Sequence, residues 1–354
     1  MILVLGLAAM LWGLGAALGA PKTLRFGLIG VLWLAVVSLH VALPDGHPLR
    51  MATGEDARIW LISGIILGLA LVYRRALRLL RAKAAPKPEP AADTKAGAFR
   101  PVELDRYSRH IMLREIGGAG QRKLRDSKVL VIGAGGLGSP ALLYLAGAGV
   151  GSIGIVDDDT VDGSNLQRQI IHADQRIGMP KVFSAEVAMR ALNPFIDIRP
   201  YNRRLMEVDA ETLFADYDLI LDGTDNFDTR YMANRIAAKL GKPLITGAIT
   251  QWEGQLSLFD PAKNTPCYEC VFPVRPAPGM VPSCAEAGVA APLPGVIGAM
   301  MAMEAVKHIT GAGETLRGRL MIHDALYAET RVIAVHRRTD CPVCGDPQTS
   351  AMHT

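Results

Sequence analysis

The chain has 354 residues, half of them apolar and a fifth charged, with a formal net charge of +4. That is room for one large or two ordinary domains. The small basic surplus gathers just behind the third apolar run, so it reads as membrane orientation and excludes a nucleic-acid surface. Five cysteines, four of them in two C-x-x-C pairs, exclude a secreted disulfide framework and fit metal ligation better.

The positive mean hydropathy comes from the first eighty or so residues. Residues 1–20 carry no charged side chain, 26–43 form a second apolar run, and 59–72 a third that continues through Tyr73 into a basic tail. A bilayer core takes roughly 20 helical residues. The first run is long enough and the second marginally so. The third qualifies only if it is counted to about residue 79 and its arginines snorkel. A signal peptide is the competing reading of the first run, but a basic leader is missing and two more runs follow. Arg74, Arg75, Arg78, Arg81 and Lys83 put the main domain on the cytoplasmic side, with Lys22 and Arg25 also inside and the N-terminus outside. A multi-pass anchor over 1–81 is therefore expected. "AKAAPKPEPAADTKAGAFRP", 82–101, is proline- and charge-rich without an apolar face and reads as a flexible linker.

From Val102 strands and helices alternate, the pattern of a parallel α/β sheet. A short apolar strand over 128–132 runs into Gly133, Gly135, Gly136 and Gly138, and a helix over 137–148 follows. Glycines permit a tight turn and close approach of phosphate, and the helix end supplies free N–H groups. This signal fits dehydrogenases as well as ATP users. The next strand, "SIGIVDDD", ends in Asp157, where an acid can bind ribose hydroxyls. The polar "VDGSNLQRQ" behind it is unlike a dehydrogenase. Arg168, Lys181 at the start of a helix, and Asp225 in "DLILDGTDN" then converge at the carboxyl ends of neighbouring strands. Two cations suit a triphosphate and an aspartate suits Mg²⁺. "EGQLSLF" and "RLMIHD" read as strands of a second sheet portion that would cradle a protein substrate, and a helix is expected near 295–309. His110, His172, His308, His323 and His336 show no ligand spacing, and the methionines at 300, 301 and 303 read mostly as core.

Cys267, Cys270, Cys341 and Cys344 give two thiolate pairs that suit a structural tetrahedral Zn²⁺, with redox dithiols as the alternative. Cys284, in "PSCAEAG", is left over beside a proline-rich loop. It is either a small apolar residue or a reactive thiol.

The run "RYSRHIMLREIGGAGQRKLRDSKVLVIGAGGLGSPALLYLAGAGVGSIGIVDDDTVDGSNLQRQ" resembles the ThiF/MoeB/HesA family, bacterial relatives of ubiquitin-activating enzymes. The similarity continues through "LDGTDNFDTRYMAN", "PCYECVFP", "SCAEAGVAAPLPGVIGAMMAMEAVK" and "CPVCG", covering 102–345 and leaving a tail at 346–354. The MoeB subgroup, the molybdopterin-synthase adenylyltransferases, looks nearest, with the thiamine branch close behind. The resemblance implies that Gly136 packs beneath the ATP phosphates and that Asp157 holds the ribose. Ser164, Asn165, Leu166, Gln167 and Arg168 would line the phosphate site. Lys181 would contact phosphate, and Asp225, with Asn226 beside it, would orient Mg²⁺ and the α-phosphate. It implies that Arg109 reaches into a partner subunit's site, hence a homodimer. In the thiamine branch the residue matching Cys284 forms a sulfur link with the carrier. The implied reaction is adenylation of the C-terminal Gly-Gly carboxylate of a small ubiquitin-like sulfur carrier. The membrane segment departs from the family, whose members are typically soluble, and implies a protein tethered to the bacterial inner membrane. The sulfur donor is expected to be a separate protein. Two competing readings remain: a tethered NAD(P)-linked oxidoreductase, which leaves Arg168, Lys181, Asp225 and the thiol pairs unused, and a non-catalytic carrier-binding scaffold.

Overall fold

A computed structural model describes residues 2–54, 56–84, 99–276 and 287–345, the side chains of 2 and 78–84 excepted. The chain divides into two compact units, Met1–Asp93 and Thr94–Thr354. Cys284 and the 346–354 tail lie outside the described residues, as does most of the expected linker.

The first unit is helical: α1 (Ile2–Ala17), α2 (Lys22–Ala42), the short α3 (Pro48–Thr53) and α4 (Ala57–Ala84). Val4, Val36 and Trp60 form its buried cluster, with Leu32, Trp33 and Val37 against it. Gly64 lets α4 approach α2, since a Cβ there would stand 2.3 Å from the Trp33 ring. Trp33 Nε1 donates to the Trp60 carbonyl at 3.2 Å. Lys22–Ala42 and Ala57–Leu77 are long and apolar enough to cross a membrane by length and composition. The first run differs from the expected 1–20 span: it is helical for 16 residues and gives way to Gly19 at φ 69°. At 1.5 Å per residue that is about 24 Å, short of a bilayer core of about 30 Å. The third apolar helix extends to Ala84, past the boundary expected at 81.

The second unit begins with three helices that hydropathy did not mark: α5 (Pro101–Arg106), α6 (Ser108–Ile111) and α7 (Gly117–Asp126). Then come β1 (Lys128–Ile132), α8 (Gly138–Ala148), β2 (Ser152–Val156), α9 (Lys181–Leu192), β3 (Asp197–Tyr201), α10 (Glu207–Ala215), β4 (Leu219–Asp222), α11 (Phe227–Lys239) and β5 (Leu244–Ile249). After them follow β6 (Glu253–Phe259), α12 (Tyr268–Val271), α13 (Pro292–Thr310), β7 (Arg319–Asp324) and β8 (Glu329–Ala334). The strands form one eight-stranded sheet in the order β3-β2-β1-β4-β5-β6-β7-β8. Pairing is parallel from β3 to β5 and antiparallel from β5 to β8. The expected second sheet portion is therefore a continuation of the first, because the tight β5–β6 turn lets Gly247 pair with Leu256 in unbroken register.

Alternation along β1 feeds two cores. Val129 and Val131 face a cluster with Leu142 and Leu145 of α8, Met189 of α9 and Ile297 and Met301 of α13. Leu130 and Ile132 face one with Leu213 and Phe214 of α10 and Ile236 of α11. Both faces of the parallel half are thus covered, and its strand ends are left to carry chemistry.

Candidate active site

Beyond the carboxyl ends of β1, β2 and β4 lies a cavity of about 850 Å³. Gly133 opens the glycine turn at φ 91°, its N–H donating to Val156 at 2.8 Å. A Cβ on Gly133 would press on the Gly223 carbonyl at 3.3 Å, so the turns after β1 and β4 touch. Gly133, Gly135 and Gly136 line the cavity. Gly138 does not: it is buried, and a Cβ there would fall 1.9 Å from the Gly133 carbonyl oxygen. Its part is to let α8 start directly beneath the turn.

Asp157 sits at the cavity wall, one carboxylate oxygen accepting from Ala134 N at 2.7 Å and the other from Asp159 N at 2.8 Å. Burial raises its pKa above the usual carboxylate range, while the two N–H bonds and Lys181 oppose that rise. Lys181 Nζ, buried, pairs with Asp159 at 2.8 Å. Arg168 lines the cavity with its Nη2 on Asn165 Oδ1 at 2.8 Å. Ser164, Asn165, Leu166 and Gln167 do not line the cavity; Asn165 instead steadies Arg168, and Asp162 caps the turn by accepting from Ser164 N at 2.8 Å. Asp225 and Asn226 line it from the loop before α11, where Asn226 Oδ1 accepts from Thr229 N at 3.2 Å. Asp225 is exposed and has no side-chain partner among the described residues. Arg109 lies away from the lining, its Nη1 3.8 Å from Met112 Sδ.

Several lining residues escaped the sequence reading. Arg203 and Arg204 follow β3, Gln169 brings a buried Oε1 with no hydrogen-bond partner, and Arg230 rises from α11 over buried Asp222 at 3.3 Å. Ala248 and Ile249 of β5, Thr250 after it, and Glu253 and Gln255 of β6 complete the lining. Behind the glycine turn, buried His172 contacts the Ala134 carbonyl and Ser184 Oγ, each at 2.9 Å. Burial lowers its pKa to about 4, so it is neutral there. A buried imidazole at the Ala134 carbonyl braces the turn, a part that no ligand spacing could have announced.

The thiols of Cys267, Cys270, Cys341 and Cys344 all lie within 4.8 Å of one another. Neighbouring sulfurs are 3.9, 3.6 and 3.4 Å apart. Four sulfurs about 2.3 Å from one centre would stand about 3.8 Å apart, so the cluster suits a tetrahedral ion. Burial, then the neighbouring thiols, pushes the Cys267 thiol far above its ordinary range, so a thiolate there needs a cation beside it.

A ThiF family model matches residues 107–343. The sulfur carrier protein adenylyltransferase of Thermus thermophilus is 47% identical over 251 residues, spanning 70% of this chain and 93% of that protein. The SAMP-activating enzyme E1 of Haloferax volcanii is 46% identical over 245 residues, spanning 69% of this chain and 90% of that one. In solved structures, E. coli MccB with MccA-N7isoASN superposes at TM-score 0.62 and 22% identity over 68% of this chain and 75% of that chain, a likeness of fold. The glycine turn, Asp157, Lys181 and Asp225 all fall inside the matched residues, and the chain belongs to the ThiF family.

Proposed function

We propose that this protein is an ATP-dependent adenylyltransferase that activates the C-terminal carboxylate of a ubiquitin-like sulfur carrier. The observation that carries this is one cavity lined both by the glycine turn, Asp157, Arg168, Lys181 and Asp225 and by Ala248, Ile249, Thr250, Glu253 and Gln255. Its volume of about 850 Å³ leaves room for a nucleotide and an extended peptide end. The naming of two relatives as activators of such carriers supports the same chemistry.

In this reading the phosphates meet the glycine turn and the start of α8, and Asp157 accepts from the ribose hydroxyls. The carrier's Gly-Gly tail lies along β5 and β6, and its carboxylate attacks the α-phosphorus. The α–β bond breaks, pyrophosphate leaves, and the carrier is left as an acyl-adenylate. Arg168 and Lys181 offset the repulsion between two anions, and the site works by positioning and charge. Asp225, without a side-chain partner among the described residues, is the residue that would hold Mg²⁺, whose charge would further offset the phosphates. The four thiols would hold Zn²⁺ as a structural staple between α12 and the segment after β8. A hydride-transfer site would use the glycine turn and Asp157 but leave Arg168, Lys181 and Asp225 idle.

A MoaD-like carrier, serving molybdopterin synthesis, is the substrate we favour, with a ThiS-like carrier of thiamine synthesis as the alternative. The protein acts as a homodimer in which Arg109 serves the partner's site, and Cys284 is a candidate sulfur-linking thiol. The N-terminal helices hold the catalytic unit to the cytoplasmic face of a membrane.

The test is pyrophosphate exchange into ATP with purified full-length protein and carriers of each kind. Exchange should require a carrier ending in Gly-Gly and vanish when its last glycine is removed. Wild-type protein that exchanges pyrophosphate with none of the carriers would overturn the assignment.

A further inference from the structure

The proposed reaction leaves one pair of buried charges beneath the cavity without a part. Asp222 ends β4 fully buried. Its Oδ1 accepts from Thr224 N at 3.0 Å and Thr224 Oγ1 at 2.6 Å. Its Oδ2 accepts no hydrogen bond and faces Arg230 Nε at 3.3 Å. Arg230 Nη2 donates to the Thr224 carbonyl at 2.5 Å and to the Gly247 carbonyl at 2.9 Å. The guanidinium lies 5.8 Å from the Tyr268 ring centroid, and Arg230 itself is part of the cavity lining.

The two carbonyls belong to different segments beside the cavity, the loop after β4 and strand β5. Thr224 directly precedes Asp225, and Gly247 directly precedes Ala248, Ile249 and Thr250, all of which line the cavity except Gly247. Among the described residues Asp225 has no side-chain bond of its own, so its position is inherited from the 223–226 backbone. That backbone is held by Gly223 N on the Ile132 carbonyl at 3.0 Å, by Asp222, and by Arg230. Of the two side chains, that of Arg230 also bonds a carbonyl of β5.

We propose that Arg230 is a positioning residue that sets the spacing between Asp225 and the lining residues 248–250 that follow Gly247, and so the approach of the carrier carboxylate to the α-phosphate. The inference rests on the adenylation reading above. A planar fork of donors is what the task requires. Nη2 holds both carbonyls while Nε sets the positive charge against Asp222 from a fixed plane, whereas a lysine offers the charge without the fork. A shift of about 1 Å between reacting groups costs on the order of 10²-fold in rate.

Arg230→Lys, which keeps a cation against Asp222, separates positioning from simple structural support. Full-length wild type and variant are compared by pyrophosphate exchange, ATP calorimetry, thermal melting and amide hydrogen exchange. The variant should lose roughly 30–100-fold in kcat. Its ATP affinity should stay within about threefold, because Asp157, Lys181 and the glycine turn are untouched. Amides of 223–226 and 247–250 should exchange faster while those of β1 stay protected. A kcat within about threefold of wild type, a kcat loss matched by the fall in folded fraction, or unchanged protection at both segments would overturn the proposal. Absence of exchange in the wild type would sink the adenylation reading instead, and protection at the two segments would still decide whether Arg230 fixes them.

Discussion

Asp225 lines the cavity from the residue before an N-cap, without a side-chain partner among the described residues, next to a loop fastened from below. Asp225→Ala should therefore abolish pyrophosphate exchange while leaving the melting temperature and zinc content unchanged; substantial residual exchange would show the chemistry lies elsewhere. Arg168 is different, because its guanidinium is steadied by Asn165. Arg168→Ala should cost on the order of 10²–10³ in rate, and Asn165→Ala, which frees the arginine without removing it, about tenfold. His172 gives a pH signature. Its folded pKa of about 4 lies below the ordinary 6.5, so the unfolded chain binds a proton that the native chain refuses. Stability from this residue is present above about pH 6.5 and falls as pH drops towards 4, by about 2 kcal/mol between pH 7 and pH 5. His308, also lowered by burial, acts in the same direction. Urea midpoints at the two pH values should therefore converge, in part, in His172→Gln.

At the scale of elements, the glycine turn contains two different requirements. A Cβ on Gly138 would meet backbone at 1.9 Å, whereas one on Gly136 would meet Pro294 Cβ at 3.0 Å. Gly138→Ala should lose about 3 kcal/mol of stability, read by denaturant unfolding. Gly136→Ala should mainly weaken ATP binding, because Gly136 lines the cavity. In the sequence the two are alike, since a run of glycines shows that the chain must turn tightly but not which atom each glycine would strike. Asp157, Lys181 and Asp225 were legible because each sits at an element's end, where hydropathy breaks. Arg230 and Asp222 were not, because their link depends on how α11 settles over β4 and β5. The short helices α5 to α7 were missed because none is long enough for a periodic apolar face to declare itself. β8 was missed for a related reason: all six of its residues are exposed, so burial imposes no alternation.

For the whole molecule, the two compact units imply separable tasks. In α2 and α4 only 11% and 6% of the apolar windows are buried, which leaves most of their apolar surface uncovered and supports the proposed membrane anchor. Full-length protein should sediment with membranes and resist high-salt extraction, while residues 94–354 expressed alone should be soluble and exchange pyrophosphate at a comparable kcat. Extraction of the full chain by salt alone would rule out an integral anchor. The thiol cluster should bind one Zn²⁺ per catalytic unit, and Cys341→Ser should abolish that binding and lower Tm by roughly 10 °C. The same cluster sets a timetable for biosynthesis. Cys267 and Cys341 are 74 positions apart, so at a ribosomal pace of about 5–20 residues per second the first pair waits roughly 4–15 s for the second. During that interval two thiols destined for burial are open to oxidants and stray soft metals. The catalytic unit can mature only after its last cysteine has left the ribosome, so oxidative stress during translation would strike newly made chains well before it touched finished ones.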